Sequence, residues 1–260
     1  MDGSNGQDRW SSTIIHLCRH GETPQNLIGV LQGQMDTPLN ETGQAQALML
    51  GKELRRRADT GTATFAGTVY SSDLARASET AQAVMRELDG ERTLITDARL
   101  RERSLGRFEG RTQAESQHAE PNEWQRFASG KPVDGVEPPA SVGRRAAAAV
   151  RAIAAAHPDA EVLVFSHGGT VHCALEAHVP PTPTLRGATG PPARRRSRGR
   201  PSCPPLRRRL VPDLGHIAHI TNCSITTIEV PAGGGSCLAR TIGDAAHISG
   251  GGTHNADVMR

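Results

Sequence analysis

No apolar run in this 260-residue chain approaches the ~20 residues that a membrane-spanning helix needs. The first twelve residues, MDGSNGQDRWSS, have no apolar centre, so no secretory leader is expected. Cysteine is sparse and odd in number: Cys18, Cys173, Cys203, Cys223 and Cys237, with no CxxC spacing. That argues against a disulfide framework and fits a reducing, cytoplasmic setting. Acidic residues are missing altogether between Ala177 and Pro212, where positions 186–209 hold nine arginines. Without those nine, the net charge of +3 would be −6, so the basic balance belongs to one segment. That segment also has no aromatic side chain on which a base could stack, and nucleic acid is not an expected partner. The apolar fraction of 36% is low for a domain of this length, and part of the deficit falls in such segments.

The remaining sequence alternates between two periodicities. Short apolar strands are expected at Thr13–Cys18, Gly67–Ser72, within RTLITDARL, at Val162–Phe165 and at Ser224–Val230, with another possible in CLARTI. Helical spacing runs through NETGQAQALMLGKELRRR, starting near Asn40–Thr42, and through DLARASETAQAVMREL, with Asp73 or Ser72 as its cap. Helices are also expected over 141–156 and in TVHCALEAHV, while Gly21–Pro38 and RERSLGRFEG read as loops. This alternation predicts a three-layer α/β/α sandwich with a mainly parallel central sheet. The expected organisation is a tail over 1–12, one domain over 13–248 and a flexible tail over 249–260. A Pro/Arg-rich stretch over 180–212 interrupts the domain, and its composition predicts disorder.

The polar residues fall in a pattern. Arg19 and His20 follow the first strand, Arg76 the second, Glu102 the third and His167 the fourth. In open α/β sheets, ligand sites lie beyond the carboxyl ends of the strands, so all of these groups converge on one edge. Two arginines and two histidines around one point suit a dianionic phosphoryl group, because the guanidinium fork matches phosphate geometry. A neutral imidazole is a nucleophile at neutral pH, and a nearby carboxyl group can protonate a leaving oxygen and later activate water. Gly168 and Gly169, opening a helix after a strand, let backbone approach an anion. This chemistry requires no metal or other cofactor. Taken singly, each residue has a plainer reading as a solvated charge or a structural histidine. His16, His118 and His157 are given no role, His172 is read as wall, and Cys18 as a small core side chain. Glu109 and Glu115 compete with Glu102 as the acid. Cys203 and Arg209 share the Cys-x5-Arg spacing of a phosphate-binding loop, but Pro204 and Pro205 lack the amides such a loop needs.

The stretch LCRHGETPQN resembles the Arg-His-Gly motif of the histidine phosphatase superfamily, also called the phosphoglycerate mutase-like family. QGQMDTPLNETGQAQA, YSSDLARASETAQAV, LRERSLGRFEG, VFSHGGTVHCAL, NCSITTIEV and GDAAHI resemble its later blocks, in order, over roughly residues 13–178 and 217–248. The resemblance implies that His20 is the nucleophile and becomes phosphohistidine. It implies that Arg19, Arg76, His167 and Asn26 bind the phosphoryl oxygens. Glu102 would be proton donor and then base, and Thr23, Gln32, Gly33 and Gly168 would lie on the substrate side.

Within that family, mutases carry a longer segment between the acid and the second histidine. Here 65 residues separate Glu102 from His167, which resembles the phosphatase branch. The expected activity is hydrolysis of a small phosphorylated molecule of the sugar phosphate or phosphoglycerate type. Phosphoglycerate mutase-type transfer is the alternative. A rival of another class is an inactive phosphatase fold that acts as an RNA-binding or scaffold protein through its arginine-rich segment. The oligomeric state, monomer or dimer, is not legible. One motif departs from the family pattern: where Gly-Glu-Ser often precedes the helix leading to the second histidine, this chain has DGVEPPASVGRR.

Overall fold

The computed structural model describes residues 12–178, 220–232 and 236–248. The expected tails and the 180–212 stretch lie outside these residues, except that Ser12 already opens the first strand. Six strands form one sheet: β1 (Ser12–Arg19), β2 (Thr68–Ser71), β3 (Thr93–Thr96), β4 (Glu161–Ser166), β5 (Ile225–Pro231) and β6 (Leu238–Asp244). Their order is β3-β2-β4-β1-β5-β6. The β3, β2, β4 and β1 strands run parallel, and β5 and β6 close one side antiparallel.

The central strands are buried on both faces, so they read as continuous apolar runs rather than alternating ones. Ile15 and Leu17 of β1, with Val162 and Val164 of β4, pack into one core beneath α6 (Pro139–Ala156) and α7 (Gly168–His178). Leu163 and Phe165 point the other way, into a second core with Leu50 and Leu54 of α2 (Glu41–Asp59) and Val84 of α3 (Ala75–Glu87). The sheet is therefore covered by helices on both faces, which is the expected three-layer sandwich. A third, smaller core joins Leu105, Phe108, Trp124, Val133 and Val136, with Phe127 against it. Three of the chain's seven aromatic residues gather there, beside the segment that follows Glu102.

Local chemistry sets the helix ends, in places not as expected. Asn40 caps α2 by accepting from the Gly43 amide at 2.8 Å. Neither Ser72 nor Asp73 caps α3. Asp73 is drawn to Arg101 at 2.6 Å, and the Ala75 amide donates instead to Asp36, 39 residues away, at 2.7 Å. The loop after β1 contains one helical turn, α1 (Pro24–Leu27), closed by a Thr23–Asn26 capping box. Two further short helices, α4 (Gln113–Ala119) and α5 (Pro121–Ala128), occupy sequence with no assigned element. The double proline of DGVEPPASVGRR does not disturb the fold. Pro138 is the N-cap of α6 and Pro139 its first residue, where a missing amide costs no hydrogen bond.

The loop carrying Gly21–Thr23 is fastened to the start of α2. The Glu22 amide donates to Gln46 at 2.8 Å, and the Glu22 carbonyl accepts from the Asn40 amide at 3.1 Å. This contact has no room for a side chain: a Cβ on Gly43 would lie 2.0 Å from the Glu22 carbonyl oxygen. Gly43→Ala is expected to destabilise the protein by about 1–3 kcal/mol, the usual cost of overpacking, measured as a lower urea midpoint at unchanged slope.

Candidate active site

Arg19 ends β1, and His20 follows directly. Both are almost fully buried. The Arg19 amide donates to Ser224 at 3.1 Å, and that of His20 donates to Ser166 at 3.0 Å, so the neighbouring strand ends hold the pair. Arg19 Nη1 donates to the Ile220 carbonyl at 2.6 Å. His20 Nδ1 lies 2.7 Å from its neighbour's carbonyl, Gly21 O. A carbonyl only accepts, so Nδ1 carries the proton and the lone pair of the neutral ring is on Nε2.

The second strand delivers Arg76, which is 1% exposed in the first turn of α3. Its Nη1 donates to the Met35 carbonyl and its Nη2 to the Gly33 carbonyl, both at 2.8 Å. Gly33 adopts φ +50°, and a Cβ there would meet Glu109 Oε1 at 2.2 Å. The QGQMD loop thus owes its glycine to the turn that orients Arg76. Thr80 ties the two strand ends together: its hydroxyl donates to the Arg76 carbonyl at 2.7 Å and accepts from the Gly21 amide at 3.0 Å.

His167 follows β4 and is fully buried, 5.2 Å from His20 between ring centroids. Neither of its ring nitrogens has a hydrogen-bond partner among the described residues. Burial, then the cations of Arg76 and Arg19, push the His20 imidazole well below the usual histidine range. Burial and Arg76 do the same to His167. Both rings are therefore neutral at pH 7.

Glu102 reaches the same edge from beyond β3. Its Oε2 accepts from the Gly169 amide at 3.1 Å, and its Oε1 from the Thr170 hydroxyl at 3.2 Å and the Arg103 amide at 2.8 Å. The start of α7 is thus occupied by the protein's own Glu102 carboxyl group. Gly168 opens that helix with Arg19 beside it, 3.5 Å from where its Cβ would be. The competing carboxylates are committed elsewhere. Glu109 accepts from the amides of Leu105 and Gln34 at 2.8 and 3.1 Å, and Glu115 closes the capping box of α4.

Asn26 is buried beside the pair, with its Oδ1 accepting from the amide and hydroxyl of Thr23 at 3.2 and 3.1 Å. Thr23 and Gln32 are also buried. Asn222 was not singled out from sequence, yet its Nδ2 donates to the His20 carbonyl at 3.0 Å and to Asn26 Oδ1 at 3.4 Å. The next residue, Cys223, has φ +54° and donates its amide to the carbonyls of Arg19 and His20. A non-glycine residue in the left-handed region behind the reactive pair marks local strain. His172, in contrast, pairs with Glu176 on the outer side of α7, and His16 is bound by Glu161 at 2.9 Å within the sheet. Burial pushes the Cys18 thiol up to about 12, consistent with an inert core side chain.

The two lowered imidazoles set a pH dependence. Each is neutral in the folded chain but takes a proton near pH 6.5 once unfolded. Their contribution is complete above pH 6.5 and is lost as the pH falls. Stability should decline below that point with a slope of up to about 1.4 kcal/mol per pH unit for each ring. Urea unfolding of the wild type and a His20→Asn/His167→Asn double variant between pH 5 and 8 would show it, with the variant less steep.

A family model described as histidine phosphatase superfamily (branch 1) matches residues 15–186. Phosphoglycerate mutase-like protein 4 of Arabidopsis thaliana is 33% identical over 166 residues, which span 62% of this chain and 69% of the relative. Among solved structures, Bacillus stearothermophilus YhfR superposes with a TM-score of 0.68 at 28% identity, covering 91% of this chain and all of the other. A mycobacterial glucosyl-3-phosphoglycerate phosphatase, at 22% identity, shares the fold with a TM-score of 0.66 over 89% of this chain and 99% of its own.

Proposed function

Because the chain belongs to the histidine phosphatase superfamily, branch 1, we propose that it hydrolyses small phosphate monoesters through a phosphohistidine on His20. The observation that carries this reading is the short contact of His20 Nδ1 with the Gly21 carbonyl, 2.7 Å. The Gly21 carbonyl accepts a hydrogen bond from Nδ1–H, which leaves a lone pair on Nε2 in a pocket flanked by two buried arginines.

In the first step His20 Nε2 attacks phosphorus in line with the ester oxygen, and the P–O bond to the alcohol breaks. Protonated Glu102 gives its proton to the departing oxygen. Arg19, Arg76 and His167, with Asn26, hold the three remaining phosphoryl oxygens. In the second step the Glu102 carboxylate takes a proton from water as that water attacks phosphorus. The P–N bond breaks, and inorganic phosphate and neutral His20 are released. No redox change or metal enters this balance. The two carbonyls that grip Arg76 use two of its five N–H donors, and they fix the plane in which the fork meets phosphate. In this reading Thr23, Gln32, Gly33 and Gly168 are assigned to the alcohol portion of the substrate.

The 65-residue interval from Glu102 to His167 supports hydrolysis over mutase transfer. The solved neighbour that is a glucosyl-3-phosphoglycerate phosphatase makes phosphorylated sugars and glycerates the first esters to test. Mutase transfer is the second reading, supported by the name of the Arabidopsis relative. Assay of a panel of small phosphate esters in EDTA tests the proposal. Phosphate release is expected, and interconversion of phosphoglycerates primed by a bisphosphorylated glycerate would replace it with the mutase reading. The arginine-rich stretch behind the rival RNA-binding reading lies outside the described residues.

A further inference from the structure

Glu102 begins a stretch, residues 102–105, with no helix or strand of its own. Backbone carbonyls in and before such a stretch need donors from elsewhere. Here they find them in an unbroken series. The Arg99 and Arg101 carbonyls accept from Arg145 Nη1 at 2.9 and 2.6 Å, and the Glu102 carbonyl accepts from Arg145 Nη2 at 3.0 Å. The Leu100 carbonyl accepts from Ser166 Oγ at 2.8 Å, and that of Arg101 also accepts from Thr170 Oγ1 at 2.8 Å. Four successive carbonyls are thus tied to α6, β4 and α7.

Arg145 is itself gripped. Glu137 accepts from its Nε and Nη2, both at 2.9 Å, and both side chains are under one-fifth exposed. Glu137 then continues the fastening past Glu102. Its carbonyl accepts from Arg103 Nε at 2.6 Å, its amide donates to the Ser104 carbonyl at 2.9 Å, and its Oε2 accepts from the Ser104 amide at 3.3 Å. The pair therefore brackets Glu102 on both sides. Only a planar fork with five donors lets one side chain serve three carbonyls and a carboxylate together; a lysine ammonium cannot.

We propose that Arg145, oriented by Glu137, is a positioning residue for Glu102. It sets the distance from the carboxyl group to the leaving oxygen in the phosphohistidine mechanism, on which the proposal rests. A general acid must come within about 2.6–3.2 Å of the atom it protonates, and a misplacement of about 1 Å costs about 100-fold. A structural ion pair would instead act on all substrates alike.

Leaving groups separate the two. A nitrophenolate departs without a proton, whereas an alkoxide requires one. The test is first-turnover release of alcohol from an alkyl phosphate and from 4-nitrophenyl phosphate, for wild type, Arg145→Lys, Glu137→Gln and Glu102→Gln. Arg145→Lys and Glu137→Gln are expected to slow alkyl release about 10–100-fold and to leave nitrophenol release within about threefold. Adding either change to Glu102→Gln should produce no further selectivity. Glu137→Gln preserves volume and acceptor oxygen, so it serves if Arg145→Lys does not fold. Equal losses on both esters, or full additivity with Glu102→Gln, would overturn the positioning role alone. Wild type that releases both alcohols without a covalent phosphohistidine would overturn the mechanism beneath it.

Discussion

His20→Ala is expected to reduce turnover of every phosphate ester by on the order of 10⁴-fold or more, the scale seen when a covalent nucleophile is removed. The expectation follows from the site's economy of parts. Glu109 and Glu115 are committed to backbone amides, and the Cys18 thiol stays protonated in the core. His167 follows a different strand. None of these can take over the attack in line with the leaving oxygen. The fold should survive the change, because among the described residues the ring's hydrogen bond goes to the adjacent carbonyl. The variant should unfold at a urea concentration close to that of wild type while its phosphate release falls to background. Turnover within tenfold of wild type would remove His20 from the mechanism.

Arg76→Ala should have the second largest effect, and it should show in three readouts. Loss of a donor aimed at a charge developing in the transition state typically costs about 10²–10³-fold in kcat. The same change strands the buried carbonyl of Gly33, worth about 1–3 kcal/mol when left without a donor, and frees the half-buried one of Met35 to water. The third readout is pH. After burial, the Arg76 cation is the largest influence lowering both imidazoles. Removing it lets both rise toward the ordinary histidine range. Attack requires neutral His20, so the acid limb of the pH–rate profile should move to higher pH. Arg76→Lys should keep the position of that limb more nearly, but it cannot hold both carbonyls and phosphate with one ammonium. A variant with normal kcat, or an acid limb moved to lower pH, would contradict this account of Arg76.

The sheet and the charged residues at its edge were legible because strand ends announce themselves. VLVFSH and IIHLCRH each pass from a doubly buried run to a polar group within one residue. What escaped was work done across long sequence separations. Asp36 supplies the cap that Ser72 and Asp73 were expected to give, because Asp73 is taken by Arg101. Asn222 reaches the His20 carbonyl from 202 residues away, and nothing local in NCSITT announces that contact. The helices α4 and α5 are short, at seven and eight residues, and their large apolar residues, Trp124 and Phe127, pack on Phe108 rather than on the sheet. Arg145 sits in an Ala- and Arg-rich helix where an arginine reads as a solvated charge. Its carbonyl partners lie more than 40 residues away.

The central claim is a covalent phosphate on His20, and trapping it tests that claim most directly. Enzyme would be mixed with a reactive phosphate ester in EDTA, quenched within the first turnover, digested at alkaline pH and mapped by mass spectrometry. The account predicts one phosphoryl group on His20 Nε2, which forms as fast as the alcohol is released and decays with phosphate release. Steady hydrolysis with no phosphate on His20, or with phosphate on another residue, would contradict it.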